Sequence, residues 1–247
     1  MKTTRLKLKK KLISTMIYSV KKYLFLTVFI LFTSPIFAQN IEWERSYWGG
    51  DPDVAHSIQT TDDGGYIVAG ASWSSDIDVS GNHGKDDYWV VKLDASGSIE
   101  WEENYGGSER DLAYSIRQTD DGGYIVVGET TSDDGDVSNN YGAWDCWVLK
   151  LDGSGSIEWE QNYGYGYGTD GDTCQCVQTT NDGGYIVAGY HGTAGFTDKF
   201  SYWVLKLESD GSIEWEDLYG GNEEDVAYSI QATNDGGYIL AGASRSD

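Results

Sequence analysis

The sequence predicts an all-β protein assembled from one four-stranded unit used repeatedly, and three observations carry that reading. Ile-Glu-Trp-Glu recurs at Ile41, Ile99, Ile157 and Ile213, at spacings of 58, 58 and 56 residues. Each copy is followed by Gly-Gly-Tyr-Ile, at Gly64 to Ile67, Gly122 to Ile125, Gly183 to Ile186 and Gly236 to Ile239. The first three copies also carry an aromatic-Lys-Leu segment ending at Lys92-Leu93, Lys150-Leu151 and Lys206-Leu207. Self-similarity at a fixed period marks a repeat architecture. The units run 41–98, 99–156, 157–212 and 213–247, the last stopping mid-unit.

The second unit shows how each element is specified. Ala113 to Thr119 alternates in polarity and reads as a first strand. Asp121-Gly122-Gly123 supplies a hairpin turn. Tyr124 to Gly128 is a nearly continuous apolar, β-branched run, which suits a second strand buried on both faces. After a long polar loop, Cys146 to Asp152 gives a third strand and Gly153-Ser154-Gly155 a turn. Ile157 to Tyr163 closes the set as a fourth strand. No helical periodicity appears after residue 38.

Four antiparallel strands joined by short turns, then repeated, describe a β-propeller blade of about 58 residues. Strand counting gives a lone fourth-type strand at Ile41 to Tyr47, three full blades, and two strands at Ala227 to Thr233 and Tyr238 to Gly242. The expected fold is thus an incomplete propeller, with three full blades and partial blades at both ends. Seven of the ten Trp fall at repeat positions (43, 101, 159, 215, 89, 147 and 203), where large aromatics fill the space between blades. Across the third hairpin, pairing Leu93 with Ile99 sets Lys92 opposite Glu100 and Val91 opposite Trp101. The same register sets Lys150 opposite Glu158 and Lys206 opposite Glu214.

The run Asp-x-Ala-x-Ser-Ile-x-x-x-x-Asp-Gly-Gly-Tyr-Ile, at Asp53 to Ile67 and Asp111 to Ile125, resembles the secreted bacterial β-propeller repeats of about sixty residues. The segment Lys92 to Trp101 is similar to the Trp motif of quinoprotein-type propellers. The resemblance spans residues 41 to 247. It implies a propeller exported to the surface or secreted, in a group mostly of unassigned role. Quinoprotein dehydrogenases carry a vicinal Cys-Cys pair, whereas here Gln175 separates Cys174 from Cys176.

Residues 1–38 carry eight Lys or Arg and no acid, then an apolar run from Tyr23 to Phe32, then Ser-Pro-Ile-Phe-Ala ending at Ala38. This is the pattern of a secretory signal peptide cut after Ala38, with Met1 or Met16 as the start. The mature region, 39–247, keeps nine Lys or Arg against forty Asp or Glu, a formal charge of −31. Such a charge repels nucleic acid and anionic membrane and favours cations. The expected location is periplasmic, cell-surface or extracellular, with no stable membrane span after cleavage. The expected partners are proteins or polysaccharides, together with the rest of the propeller. Cys146, Cys174 and Cys176 stand where other units have Tyr88, Ala113 and Ser115, and read best as small buried hydrophobes.

Function is expected in the loops between second and third strands, where the units differ. Unit one carries Asp76, Asp78, Ser80, Asn82 and Asp87, and unit two repeats the spacing with Asp134, Asp136, Ser138, Asn140 and Asp145. Oxygen ligands at positions 1, 3, 5 and 12 are what a Ca²⁺ loop supplies, so Ca²⁺ is the one candidate cofactor. Ordinary acidic surface turns have the same composition. Trp48 and the loop residues Trp73, Trp144, Tyr141, His83 and His191 form a candidate ligand face suited to stacking on a sugar ring. The alternative is that these loop aromatics fold back on their blade. No catalytic set emerges, since three His and abundant carboxylates single out no triad or acid–base pair. The reading is an exported or cell-surface binding or scaffold module. The alternative is a secreted enzyme on a propeller, either a glycan hydrolase or lyase or a quinoprotein-like oxidoreductase.

Overall fold

Alternating apolar residues and Asp-Gly-Gly turns produce antiparallel sheets throughout. The computed structural model describes residues 42–165, 171–192, 200–221, 223–233 and 235–245. The expected signal peptide, residues 1–38, together with Ile41 and the unit-three loop from Thr193 to Asp198, lies outside these.

Fourteen strands are present among the described residues. Blade 1 comprises β1 (Asp53–Thr60), β2 (Tyr66–Ser72), β3 (Asp87–Leu93) and β4 (Ile99–Tyr105). Blade 2 comprises β5 (Asp111–Gln118), β6 (Tyr124–Thr130), β7 (Asp145–Leu151) and β8 (Ile157–Tyr163). Blade 3 comprises β9 (Asp172–Thr179), β10 (Tyr185–Gly192), β11 (Phe200–Leu207) and β12 (Ile213–Tyr219). A two-stranded sheet follows, β13 (Asp225–Ala232) with β14 (Tyr238–Ser244). Each full blade is ordered first to fourth strand. The first strands β1, β5, β9 and β13 pack on one another in succession, so they form the inner edge of the stack.

The core lies between blades. Ile67, Tyr88, Val90, Ile116, Val126 and Trp147 belong to one buried cluster at the first junction, and Ile125, Val127, Val177, Val187 and Trp203 to another at the second. Burying each large apolar side chain contributes about 1.5–3 kcal/mol. The second and third strands are covered on both faces, as their unbroken apolar runs require.

Two expectations need correction. Residues 42–49 form no strand. In each full blade the fourth strand pairs with a third strand that precedes it, and among the described residues no third strand precedes this segment. It still packs as the other fourth strands do: Trp43 meets Tyr66 edge-on at 5.6 Å, and the Tyr47 hydroxyl donates to the Gly97 carbonyl. The hairpin register also differs. Leu93 faces Ile99, but Lys92 faces Trp101 and Val91 faces Glu102, because Glu100 is bulged out of the ladder. Glu158 is bulged in blade 2, where Lys150 faces Trp159. In blade 3 the same bulge takes Glu214, so Lys206 faces Trp215. The bulge turns each Glu back onto its Lys, and Lys92 Nζ lies 2.6 Å from Glu100 Oε2.

Of the cysteines, Cys176 is the small buried hydrophobe expected, whereas Cys146 and Cys174 are paired. Cys146 and Cys174 form a disulfide with Cα atoms 5.0 Å apart, while Cys176 is free and buried. At the first junction the equivalent residues are Tyr88 and Ala113, which share one buried cluster. Two cysteines thus replace a large–small pair where β7 meets β9. The bridge ties blade 2 to blade 3 covalently.

Candidate functional site

The upper end of the stack carries the linkers entering each first strand and the loops between second and third strands. The predicted calcium residues all lie here, and four of them accept hydrogen bonds from the linkers. The Gly-Gly linkers present a fan of backbone N–H groups that must be satisfied. Entering blade 1, Gly49 donates to Asp53 at 2.6 Å, Gly50 to Asp76 at 2.6 Å and Trp48 to Asp78 at 3.3 Å. Entering blade 2, Gly107 donates to Asp111 at 2.8 Å, Ser108 to Asp134 at 2.7 Å and Gly106 to Asp136 at 3.1 Å. A side chain on Gly107 would stand 2.4 Å from Asp134 Oδ1, so the linker must be bare for the loop to clasp it.

The remaining predicted ligands are likewise engaged within the protein. Ser80 Oγ donates to Glu102 at 2.6 Å, and the Asn82 amide donates to the Ser72 carbonyl at 2.9 Å. The Asn140 amide donates to the Ser132 carbonyl at 3.2 Å, and Ser138 Oγ accepts from the Asn139 amide at 3.2 Å. Asp87 is buried, accepting the His83 N–H at 2.5 Å, and Asp145 accepts the Tyr141 N–H. Among the described residues, no three His, Cys, Asp or Glu side chains are grouped to hold a metal ion.

Asp87 and Asp145 sit at blade junctions rather than on a loop surface. Gly106 lies against both Asp87 and Asp111, since a Cβ there would be 3.0 Å from Asp87 Oδ1 and 2.5 Å from Asp111 Oδ2. Gly164 lies in the same way against Asp145 and Asp172. Burial first, and the neighbouring aspartate second, push Asp145 up to about 6. Asp87 is also pushed up to about 6, mainly by burial, with hydrogen bonds from His83 opposing.

The predicted ligand face divides in two. Trp73 and Tyr141 are about half exposed, at 49% and 50%, as is Trp48 at 53%. Trp144, His83 and His191 are engaged with the protein. Trp144 is half-buried, its ring 5.5 Å from the Arg110 guanidinium and its carbonyl accepting the Asp172 N–H at 2.8 Å. His191 Nδ1 lies 2.5 Å from Asp172 Oδ1, and its ring packs against Tyr165 and Trp203 at 4.8 and 5.9 Å. His83 Nδ1 lies 2.9 Å from Asp87 Oδ2.

Sequence reading missed Glu129, which stands where the other units have Ala71, Tyr190 and Ala243. It is buried, accepts the Thr173 hydroxyl at 2.7 Å across the second junction, and is pushed up by that burial. The available signal was a charged residue at a position that is otherwise uncharged.

The lower end carries the hairpin turns. There Lys92, Lys150 and Lys206 are almost wholly buried, each ammonium held between two carboxylates: Asp63 and Glu100, Asp121 and Glu158, Asp182 and Glu214. Burial alone would push these ammonium groups down, and the carboxylates outweigh it. Three equivalent copies mark the triad as architecture, since a single active site has no use for three. Between blades 2 and 3 this end opens into a cavity of about 520 Å³.

No family model matches the chain, and no curated protein matches it. Among solved structures it is similar to a protein of unknown function from Bacteroides caccae, with a TM-score of 0.46 and 13% identity over 81% of this chain and 56% of that one. It is also similar to Sqt1 from Chaetomium thermophilum, with a TM-score of 0.43 and 12% identity over 81% of this chain and 42% of that one. The chain therefore spans about half the length of these two structures.

Proposed function

We propose that this chain is an exported or cell-surface binding module that takes glycan at the upper end of its blade stack. One observation carries the reading: Trp48, Trp73 and Tyr141 stand about half exposed at that end, outside the positions where the repeat packs its aromatics. An aromatic face beside acceptor carboxylates suits a sugar, which offers C–H groups to the ring and hydroxyls to the acids. The Cys146–Cys174 disulfide is in keeping with an oxidising compartment. The upper-end carboxylates mostly accept backbone N–H groups, which favours binding over chemistry.

The test is a polysaccharide array probed with the mature chain, read for both retention and release of reducing ends. Retention of neutral glycans, weakened at least about tenfold in Trp73→Ala with Tyr141→Ala, is the expected result. Release of reducing ends would favour a secreted hydrolase or lyase. Retention unchanged in the double variant would remove the upper end as the site.

A further inference from the structure

The lower grooves between successive blades are lined by equivalent positions, so a groove that differs does so through few substitutions. At the first junction Gln118, at the end of β5, reaches back and accepts the Asp62 N–H at 2.8 Å. At the second junction the same position is Thr179, too short to span the gap. There the turn residues Gly153 and Ser154 are also replaced, by Ser209 and Asp210. Thr60 and Ala232 hold the Gln118 position in the first and last units, so Gln118 is the departure that bridges the first groove, and what sets the second groove apart within the repeat is the added acid, Asp210.

The resulting cavity has a volume in the range of small-ligand sites. One wall is aromatic, formed by Trp159 and Tyr185 with ring centroids 6.1 Å apart. Four carboxylates line it (Asp120, Asp121, Glu158 and Asp210) against one cation, Lys150. The Lys150 ammonium is already held by Asp121 at 2.9 Å, Glu158 at 2.7 Å and the Leu151 carbonyl at 3.1 Å. It therefore has little to offer a ligand. Asp210 is kept below the ordinary carboxylate range by hydrogen bonds from the Ser212 hydroxyl and N–H, so it is ionised at neutral pH. Excess negative charge beside aromatic faces attracts a cation by Coulomb force and by the ring quadrupole, and repels an anion.

We propose that this cavity binds an organic cation, a primary ammonium group carried either by a free polyamine or by a lysine side chain of a basic peptide. The site lies at the opposite end of the strands from the glycan face and does not depend on it. Calorimetric titration of the mature chain at low salt, with spermidine in one arm and acetyl-Gly-Lys-Gly-amide in the other, tests it. One site is expected in the wild type. Binding of spermidine alone identifies a free polyamine, and binding of the peptide identifies a side chain. Thr179→Gln puts into this groove the side chain that spans the first one, and should weaken binding at least about tenfold with no loss of melting temperature. Asp120→Asn, at an exposed position, should weaken it without touching the packing. Gln118→Thr should open the first junction and raise the stoichiometry. Failure of the wild type to bind either probe would overturn the proposal, as would Thr179→Gln binding like the wild type.

Discussion

The smallest unit that holds this molecule together is a clamp of three residues repeated at both junctions between full blades. Trp101 and Tyr105 of blade 1 grip the third hairpin turn of blade 2. The Tyr105 hydroxyl donates to the Gly155 carbonyl, and the Trp101 ring covers the place where a Gly155 side chain would be, 3.1 Å away. Trp159 and Tyr163 grip Gly211 in the same way. Gly155 has φ of 90°, so Gly155→Ala combines backbone strain with a clash and should cost about 1–3 kcal/mol. Trp101→Ala, which empties the same contact, should cost about 3–5 kcal/mol, read from urea denaturation. The buried aspartates give a second prediction. Asp87 and Asp145 titrate near 6 when folded, above an unfolded carboxylate, so the folded state binds more protons between about pH 4 and 6. Their contribution to stability grows as pH falls through that window. Asp182 has the opposite sign. It is lowered to about 2 by the Thr180 hydroxyl, the Gly184 N–H and Lys206, so its contribution is lost as pH falls from about 4 toward 2. The melting temperature should therefore peak between about pH 4 and 6, and Asp87→Asn with Asp145→Asn should flatten the neutral side of that peak.

At the level of strands and loops, junctions with the same backbone are sealed by different side chains. Tyr88 crosses the first junction, where its hydroxyl donates to the Trp147 carbonyl at 3.0 Å. The second junction uses the disulfide instead. Closing a loop of 28 residues contributes about 3–4 kcal/mol by restricting the unfolded chain. Reduction should lower stability by that order. Cys146→Tyr with Cys174→Ala, which restores the large–small pair of the first junction, should recover more of the loss than Cys146→Ser with Cys174→Ser. The acidic loops make a fourth test. If Asp76, Asp78, Asp134 and Asp136 serve as caps for linker amides, chelation should leave the melting temperature unmoved, while Asp134→Ala should lower it by removing the acceptor of the Ser108 N–H. A melt that falls with chelator would return calcium to these loops.

Across the whole stack, the residues that seal internal junctions are left uncovered at its two ends. Ile116 and Ile230 are fully buried, yet Ile58 at the same repeat position is 58% exposed. Ile67, Ile125 and Ile186 are fully buried, yet Ile239 is 62% exposed. Such faces favour association when nothing covers them. Light scattering of the mature chain should show a mass that rises with concentration. Ile58→Glu with Ile239→Glu should hold it at the monomer value, and a monodisperse wild-type monomer would show that these faces do not drive association.

The sequence by itself determined the blade. Alternation, Asp-Gly-Gly turns and a fixed period are local signals, and strand identity, order and pairing follow from them. The Lys–Glu partnership was legible too, because both residues recur at one spacing, but its register was not. A bulge at Glu100 is chosen by the buried ammonium it must reach, which is a fact of packing. What only the tertiary structure decided lies between blades. The aspartates spaced like a calcium loop also accept linker N–H groups some thirty residues away along the chain, a contact that no local pattern shows. The cysteines looked like isolated small hydrophobes because their partnership exists only where β7 meets β9. Repetition specifies each unit through near neighbours in sequence. The junctions, where this chain departs from its own repeat, are specified by contacts that only the stacked sheets bring together.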